Sequence, residues 1–394
     1  MKTVTILQAD WLHTPFVQGI VTALGADNIK FVGGAVRDTL LGRAVADIDA
    51  ATRHKPQQTI KLLNAAGIKT IPTGLKHGTI TAVLGRKTVE ITTLRVDVET
   101  DGRHAEVAFT KDWQEDAARR DFTFNALYAA PDGTVFDPFG GLDDLKAGKV
   151  RFIGDATARI EEDALRIMRF FRFFGRYGQG EPDVAAVAAC TDKRQMLAQL
   201  SIERIRDELL KIMALPQQQL PLGPMGKCGL LQEIYGSEFQ AARIEAFLEG
   251  EDRSGAEINA LLRFYFLAPS SLGAAGIAKK FKLSGEDRKF LLSFDRLQRQ
   301  PAPQTENELH RAIYSFGAAA VRARAVGLSN ELYKQTVGVC DSWQAPELPV
   351  RGRDLLALGW EPGPEMGACL ARLESQWLES GFRLSRDQLL DLVD

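Results

Sequence analysis

The chain has 394 residues, 45% of them hydrophobic and 25% charged, a balance that excludes collagen-like, mucin-like and wholly disordered readings. A length of this order predicts roughly two to four domains. Lys plus Arg (49) nearly cancels Asp plus Glu (51), so a nucleic-acid partner must be held by a local basic stripe and not by the field of the whole chain.

Residues 1–10 have no long apolar core, which predicts no signal peptide. No run of about 18 apolar residues occurs, so no membrane span is expected. Cys190, Cys228, Cys340 and Cys369 are too far apart for a zinc ribbon, a redox pair or a disulfide framework, and a reducing cytoplasm fits them best.

Short β-branched segments bounded by Gly or polar turns predict strands at 29–32, 48–51, 79–84 and 88–94. Residues 35–41 read as a short helix stopped by Gly42. From about residue 156 the texture changes to Ala, Leu, Arg, Glu and Gln, a helical pattern. Proline-bearing breaks at 216–224, 301–303 and 346–349 mark turns or linkers. No fixed-period repeat is present. The fold class is therefore α+β, a small α/β part followed by an all-helical remainder.

Asp47-Ile48-Asp49 is the sharpest chemical feature. Residues two apart on a strand share a face, so both carboxylates look at one site while Ile48 turns to the core. Two hard oxygen ligands on a rigid strand suit Mg²⁺, and such a pair can hold two ions about 3.5–4 Å apart for in-line phosphoryl transfer. An Asp-X-Asp triplet alone is common by chance. The run Phe31-Val32-Gly33-Gly34-Ala35-Val36-Arg37-Asp38, ten residues before it, raises its weight, because it reads strand, glycine turn, helix. Glycine lets the backbone approach a phosphate closely, and Arg37 can fork onto one.

These residues resemble the head of class II nucleotidyltransferases, the bacterial CCA-adding enzymes and poly(A) polymerases. Three further segments fit in the expected order. Arg119-Arg120-Asp121-Phe122-Thr123-Phe124-Asn125-Ala126 is similar to the ribose-recognition motif. Asp137-Pro138-Phe139-Gly140-Gly141 is similar to the hinge motif, and Glu162-Asp163-Ala164-Leu165-Arg166-Ile167-Met168-Arg169 to the base-selection motif. Thr73-Gly74-Leu75-Lys76-His77-Gly78-Thr79 resembles the CCA-adding branch, and residues 101–109 lie where that branch keeps a flexible loop. Arg351-Gly352-Arg353-Asp354 and Pro362-Gly363-Pro364 resemble, more loosely, its C-terminal tRNA-facing region.

The resemblance implies a nucleotidyltransferase head over 1–148 and an elongated helical remainder, with a neck over 149–215, a body over 216–300 and a tail over 301–394. It gives Asp47 and Asp49 to catalysis and Mg²⁺. Gly34, Arg37, Arg120, Asp163, Arg166, Arg169 and Arg172 go to nucleotide binding, and Asp121 and Asn125 to the neighbourhood of the ribose. Arg119 reads equally as a structural ion pair, and Glu90 is a candidate third carboxylate. The implied activity is template-independent addition of C, C and A to the 3′ end of tRNA from CTP and ATP, with release of pyrophosphate. A poly(A) polymerase, a CC-only or A-only adder, and a non-catalytic RNA-binding protein are the alternatives. A fused HD-type phosphohydrolase is disfavoured, since none of His13, His54, His77, His104 and His310 precedes an Asp.

Asp163, Arg166, Arg169, Arg172 and Arg176 recur at spacings of three and four, which places them along one side of a helix. The apolar residues between them predict a largely buried helix whose arginines need partners, and phosphates or base edges would serve. A carboxylate accepts and a guanidinium only donates. Cytosine and adenine both offer an exocyclic amine beside a ring-nitrogen acceptor, whereas uracil and guanine offer a carbonyl and an N–H. An Asp163–Arg166 pair thus accepts C and A and leaves buried groups unpaired with U and G. Lys279, Lys280, Lys282, Arg322, Arg324, Arg351 and Arg353 are the scattered basic residues from which phosphate contacts to tRNA would be drawn.

Overall fold

The computed structural model describes residues 5–100, 105–236 and 239–393. Thr14 starts the first helix by accepting the Val17 N–H, with Pro15 supplying its preset first turn. From there the chain runs α1 (Pro15–Leu24), β1 (Ile29–Val32), α2 (Gly34–Leu40), β2 (Ile48–Thr52), α3 (Pro56–Ala65), β3 (Lys69–Gly74), β4 (Thr79–Leu84), β5 (Lys87–Thr93), β6 (Arg95–Thr100), β7 (Ala105–Phe109), α4 (Trp113–Ala118), β8 (Tyr128–Ala129), β9 (Val135–Phe136) and α5 (Gly141–Lys146). All four expected strands and the short helix form, within a residue or two of their expected ends.

Seven strands make one sheet in the order β3-β4-β5-β2-β1-β8-β9. β2 lies antiparallel to β1 and parallel to β5, so Asp49 stands opposite Val32 on one side and Glu90 on the other. β3 escaped the sequence reading because most of it is exposed and it contains Pro72. At the end of the sheet a proline costs no ladder bond. β8 and β9 have two residues each, too few for a periodic signal. Val32, Ala51, Leu94, Trp113, Ala117, Ala126, Tyr128 and Ile153 form a core cluster joining the sheet to α4.

Three expectations change. Asp163 is not on the arginine-bearing helix. It ends α6 (Ala156–Glu162) with extended backbone (φ −153°, ψ 105°), and α7 (Leu165–Tyr177) starts afresh after it. Ile48 is half-buried and not a core residue, and Asp47 lies just before β2. Of the segment expected as a flexible loop, 101–104 lies outside the described residues, whereas Ala105–Phe109 pairs antiparallel with β6.

α7 packs on the head through phenylalanines. Phe122 lies 5.3 Å from Phe173 and 4.8 Å from Phe152 between ring centroids, and Phe124 lies 5.7 Å from Phe173. Each such pair contributes about 0.5–1.5 kcal/mol beyond its buried area. α8 (Val184–Lys193), α9 (Ile202–Met213), α10 (Leu222–Lys227) and α11 (Leu230–Tyr235) complete a first compact unit, residues 1–236. Pro224 sits in the first turn of α10, where a missing N–H is harmless.

The second unit, residues 237–394, has helices as its regular elements among the described residues. It holds α12 (Ala241–Ser254), α13 (Ala260–Leu267), α14 (Gly273–Lys280), α15 (Gly285–Gln298), α16 (Glu306–Phe316), α17 (Ala318–Ala325), α18 (Asn330–Ser342), α19 (Gly352–Ala357), α20 (Pro364–Glu379) and α21 (Arg386–Leu390). The proline breaks at 301–303 and 346–349 separate α15 from α16 and α18 from α19. Leu355, Cys369, Leu373, Trp377 and Leu389 form its C-terminal core. Among the described residues no single helix is long and apolar enough to cross a membrane.

Candidate active site

Gly33 caps α2 with φ 71° and ψ −126°, backbone that side chains with a Cβ rarely adopt. A Cβ there would lie 3.8 Å from Arg120 Nη1 and 3.9 Å from Asp49 Oδ2. The glycine turn, a carboxylate of the Asp-Ile-Asp run and an arginine from 87 residues further on therefore meet at one point. A Cβ on Gly34 would lie 3.7 Å from Arg37 Nη2, so Arg37 reaches the same glycine turn.

Asp47 is exposed and Asp49 half-buried. The Asp49 carboxyl is pushed above its ordinary range, first by burial and then by the negative charges of Glu90 and Asp47, against the pull of Arg120 and Arg37. A carboxylate whose ionised form is disfavoured by two neighbouring carboxylates is one that a divalent cation relieves. Among the described residues no three or more His, Cys, Asp or Glu side chains are grouped so that they could hold a metal ion by themselves. An open carboxylate edge that needs substrate oxygens to complete the shell is the pattern Mg²⁺ prefers, and these residues fit it.

Arg120 is fixed from behind. Its Nε donates to the Tyr128 hydroxyl at 3.1 Å, and its Nη2 lies 3.5 Å from Asp116 Oδ2. Tyr128 in turn donates to Asp116 Oδ2 at 2.5 Å. Asp116 also accepts from Arg119 Nε at 2.9 Å and from the Arg95 N–H at 3.2 Å. Burial alone would raise the Asp116 carboxyl, but Arg120 and Arg119 outweigh it and hold the group below its usual range. Arg119 is thus a structural ion pair. The sequence reading missed Asp116 and Tyr128, although Asp116 stands three and four residues before the two arginines, the spacing of helix-surface pairs.

A second buried chain of polar contacts runs from α2 to α7. Arg37 donates through Nε to Asp38 Oδ1 at 3.0 Å and through Nη1 to Asn125 Oδ1 at 2.6 Å. Asn125 Nδ2 donates to Asp121 Oδ1 at 3.0 Å, and Asp121 Oδ2 accepts from Arg169 Nε at 2.7 Å. Arg169 and Asn125 overcome the effect of burial and hold the Asp121 carboxyl low. Asn125 and Asp121 are accordingly locked between two arginines.

The arginines of α7 have partners within the chain. Arg172 Nε donates to Glu208 Oε2 on α9 at 2.5 Å, and Arg176 Nη2 lies 3.5 Å from Asp38 Oδ2. Arg166 donates to Glu162 at 2.5 Å and to the carbonyls of Arg159 and Arg119 at 2.8 and 3.1 Å. Asp163 and Arg166 share a backbone bond (Arg166 N–H to Asp163 C=O, 3.0 Å), but the Asp163 side chain is held elsewhere. Arg204 Nη2, on α9, donates to both of its oxygens, at 3.1 and 2.9 Å. Arg204 was not legible in the sequence, since 41 residues separate the two.

In the second unit, Arg324 serves the fold, donating to the carbonyls of Leu297 and Gln300, each at 2.6 Å. Arg322 pairs with Asp341 at 2.6 Å and Arg351 with Glu347 at 2.5 Å. Lys279, Lys282 and Arg353 are exposed.

Residues 29–151 match a family model described as the poly A polymerase head domain. The chain is 36% identical to CCA tRNA nucleotidyltransferase 1, mitochondrial, of Mus musculus, over 98% of this chain and 92% of the mouse protein. It is 31% identical to the CCA-adding enzyme of Lactobacillus gasseri, over 89% of this chain and 88% of that one. Among solved structures it is similar to the Bacillus stearothermophilus CCA-adding enzyme in complex with CTP, with a TM-score of 0.75, 27% identity, and 93% and 94% of the two chains covered. With its glycine turn, its paired aspartates and its head followed by helices, this chain belongs to the CCA tRNA nucleotidyltransferase family.

Proposed function

We propose that this protein adds C, C and A to the 3′ end of tRNA without a template, using CTP and ATP and releasing pyrophosphate. The observation that carries the reading is the convergence of Gly33, Asp49 and Arg120 at one point, on a head joined by the Arg169–Asp121 ion pair to the helix that follows Asp163.

In this reading Gly33 and Gly34 let the triphosphate approach the backbone, and Arg37 and Arg120 offer donors to its oxygens. Asp47 and Asp49, with Glu90 beside them, would hold Mg²⁺, which when bound supplies positive charge at the phosphates and makes a bound hydroxyl more acidic. Arg120 is pre-aimed by Tyr128 and Asp116, so little reorganisation is needed as charge builds on the leaving pyrophosphate. Positioning dominates phosphoryl transfer, and these residues are held to position. Asp163 would accept from the exocyclic amine shared by C and A, and Arg166 would donate to the ring nitrogen beside it. Arg169 and Arg172 border this pocket, and Asp121 and Asn125 fix its ribose side.

We assign catalysis to 1–148, base selection to 149–215, and tRNA contacts to the body over 216–300 and the tail over 301–394. The four cysteines are free and buried, which suits a reducing compartment such as the cytoplasm. The test is to incubate the protein with tRNA lacking its 3′ end and each nucleoside triphosphate in turn, then sequence the products. CCA ends support the reading. Runs of A, or products stopping at CC, would replace it with a poly(A) polymerase or a partial adder.

A further inference from the structure

We propose that Arg204 is a specificity-determining positioning residue, which holds the Asp163 carboxylate in the orientation that reads the base. The proposal rests on the assignment of Asp163 to base reading made above.

Asp163 stands at a break between two helices, with extended backbone and a side chain 30% exposed. The local structure offers its side chain one hydrogen bond, from the Leu165 N–H to one oxygen. An aspartate free to swivel is a poor reader, because discrimination by donor and acceptor pattern requires the acceptor to stay in place when the wrong base enters. Two groups do fix it. The Leu165 N–H, at the start of α7, donates to Oδ1 at 3.1 Å, and Arg204 Nη2 bridges Oδ1 and Oδ2 at 3.1 and 2.9 Å. The guanidinium lies across both oxygens of a carboxylate that accepts, the role that the amines of C and A need.

Arg166 does not perform this task. Its Nη1 and Nη2 donate to Glu162 and to the carbonyls of Arg159 and Arg119, and its bond to Asp163 is a backbone one. Arg159, which also bonds Glu162 and the Ala118 carbonyl, ties the same segment to the end of α4. Arg166 thus anchors the Asp163 segment to Arg119, the neighbour of Arg120, while Arg204 aims Asp163 itself.

The attachment of α9 does not depend on Arg204. Glu208, one turn further along α9, holds Arg172 and Lys211, and Ile205, Leu209 and Ile212 are buried. Arg204 is 37% exposed, so its replacement leaves the packing of α7 on α9 intact.

The experiment compares Arg204→Gln, Arg204→Lys, Asp163→Asn and the double variant Asp163→Asn/Arg204→Gln. For each, kcat/KM is measured with CTP, ATP, UTP and GTP on tRNA primers, alongside thermal melting. The expected result for Arg204→Gln is a fall of about tenfold or more in the preference for C and A over U and G, with partial recovery in Arg204→Lys. The double variant should discriminate no worse than Asp163→Asn, since Arg204 acts through Asp163. A further loss in the double variant shows direct base contact by Arg204 and overturns the positioning role. Unchanged discrimination in Arg204→Gln beside a loss in Asp163→Asn overturns this proposal alone, and so does lowered melting or kcat with discrimination intact. Unchanged discrimination in Asp163→Asn overturns the base-reading assignment beneath it.

Discussion

Arg169 closes on Asp121 with two donors, Nε at 2.7 Å and Nη2 at 2.6 Å from the same carboxylate oxygen. The contact ties the helix after the base-reading segment to the motif that carries Arg120. Through Asn125 it continues to Arg37 at the glycine turn. Removing the arginine strands a buried carboxylate. Arg169→Met should cost about 2–3 kcal/mol, somewhat below the 3–5 of a fully enclosed pair because Arg169 keeps some exposure. Chemical denaturation measures it, and an unshifted midpoint refutes it.

Asp121, Asp116 and Glu208 all have carboxyls held below their ordinary range, in each case by arginine neighbours that overcome burial. Their folded values lie under the unfolded ones. The stability they contribute is therefore complete above the unfolded range, near pH 4–5, and drains away as pH falls through the folded values. Acid melts of the parent should drop steeply there, and Asp121→Asn should show a shallower slope. Equal slopes would count against the pairing as a source of acid sensitivity.

Asp49 has the opposite sign. Burial and the charges of Glu90 and Asp47 disfavour its ionised form, so at neutral pH, without a divalent ion, the ionised carboxylate opposes folding. Asp49→Asn should melt higher than the parent in EDTA, and Mg²⁺ should narrow the gap by stabilising only the parent. Asp47→Ala or Asp49→Ala should abolish nucleotide incorporation while tRNA binding, measured by filter retention, survives. Retained turnover in either variant would falsify the metal assignment.

Tyr128 links Arg120 to Asp116 with a single hydroxyl. Tyr128→Phe removes an acceptor from one and a donor from the other at a fully buried position. A stability loss of about 1–2 kcal/mol is expected. If the hydroxyl aims Arg120 at the triphosphate, kcat/KM for CTP should also fall by about tenfold. A stability loss with unchanged kinetics would leave Tyr128 as a packing residue only.

Arg166→Ala should loosen selection against UTP and GTP more than it weakens tRNA binding. Its three in-chain bonds also predict a lowered melting temperature, because the segment carrying Asp163 loses its anchor to Arg119. Equal losses for all four nucleotides would assign Arg166 to anchoring alone.

The second unit offers an independent check on buried charge. Arg263 donates to Glu251 through Nε at 2.7 Å, and the two side chains are 2% and 5% exposed. Arg263→Leu should destabilise this unit by about 3–5 kcal/mol, and Arg263→Leu/Glu251→Leu should recover most of it. Hydrogen exchange over α12 and α13 reads the effect. No recovery in the double variant would mean that shape, not charge, sets the cost.

Residues 29–52 were legible almost to the residue, because each feature there is local. β-branched runs bounded by glycine make strands, a glycine turn starts a helix, and Asp47 and Asp49 stand on either side of the first residue of a strand. The helical texture after residue 156 was legible for the same reason. The break at Asp163 was not. Asp163, Arg166 and Arg169 keep helical spacing across it, and only the extended backbone at Asp163 shows that periodicity has run through a discontinuity. The partners of the arginines were also misjudged. Buried guanidinium groups demand anions, and a sequence does not say whether these come from a substrate or from the chain. Asp121, Glu208, Asp38 and Glu162 supply them here.

By itself, then, the order of amino acids determined the strands at 29–32, 48–52, 79–84 and 87–93, the helical texture after residue 156, the spacing of the two aspartates and which family the chain joins, since those follow from backbone preference and short spacing. Tertiary structure alone decided that Glu90 stands beside Asp49, that Tyr128 and Asp116 aim Arg120, and that Arg204 faces Asp163. Those contacts join residues tens of positions apart or on different elements, and only the closing of the sheet and the packing of α7 on α9 bring such charges within hydrogen-bonding reach.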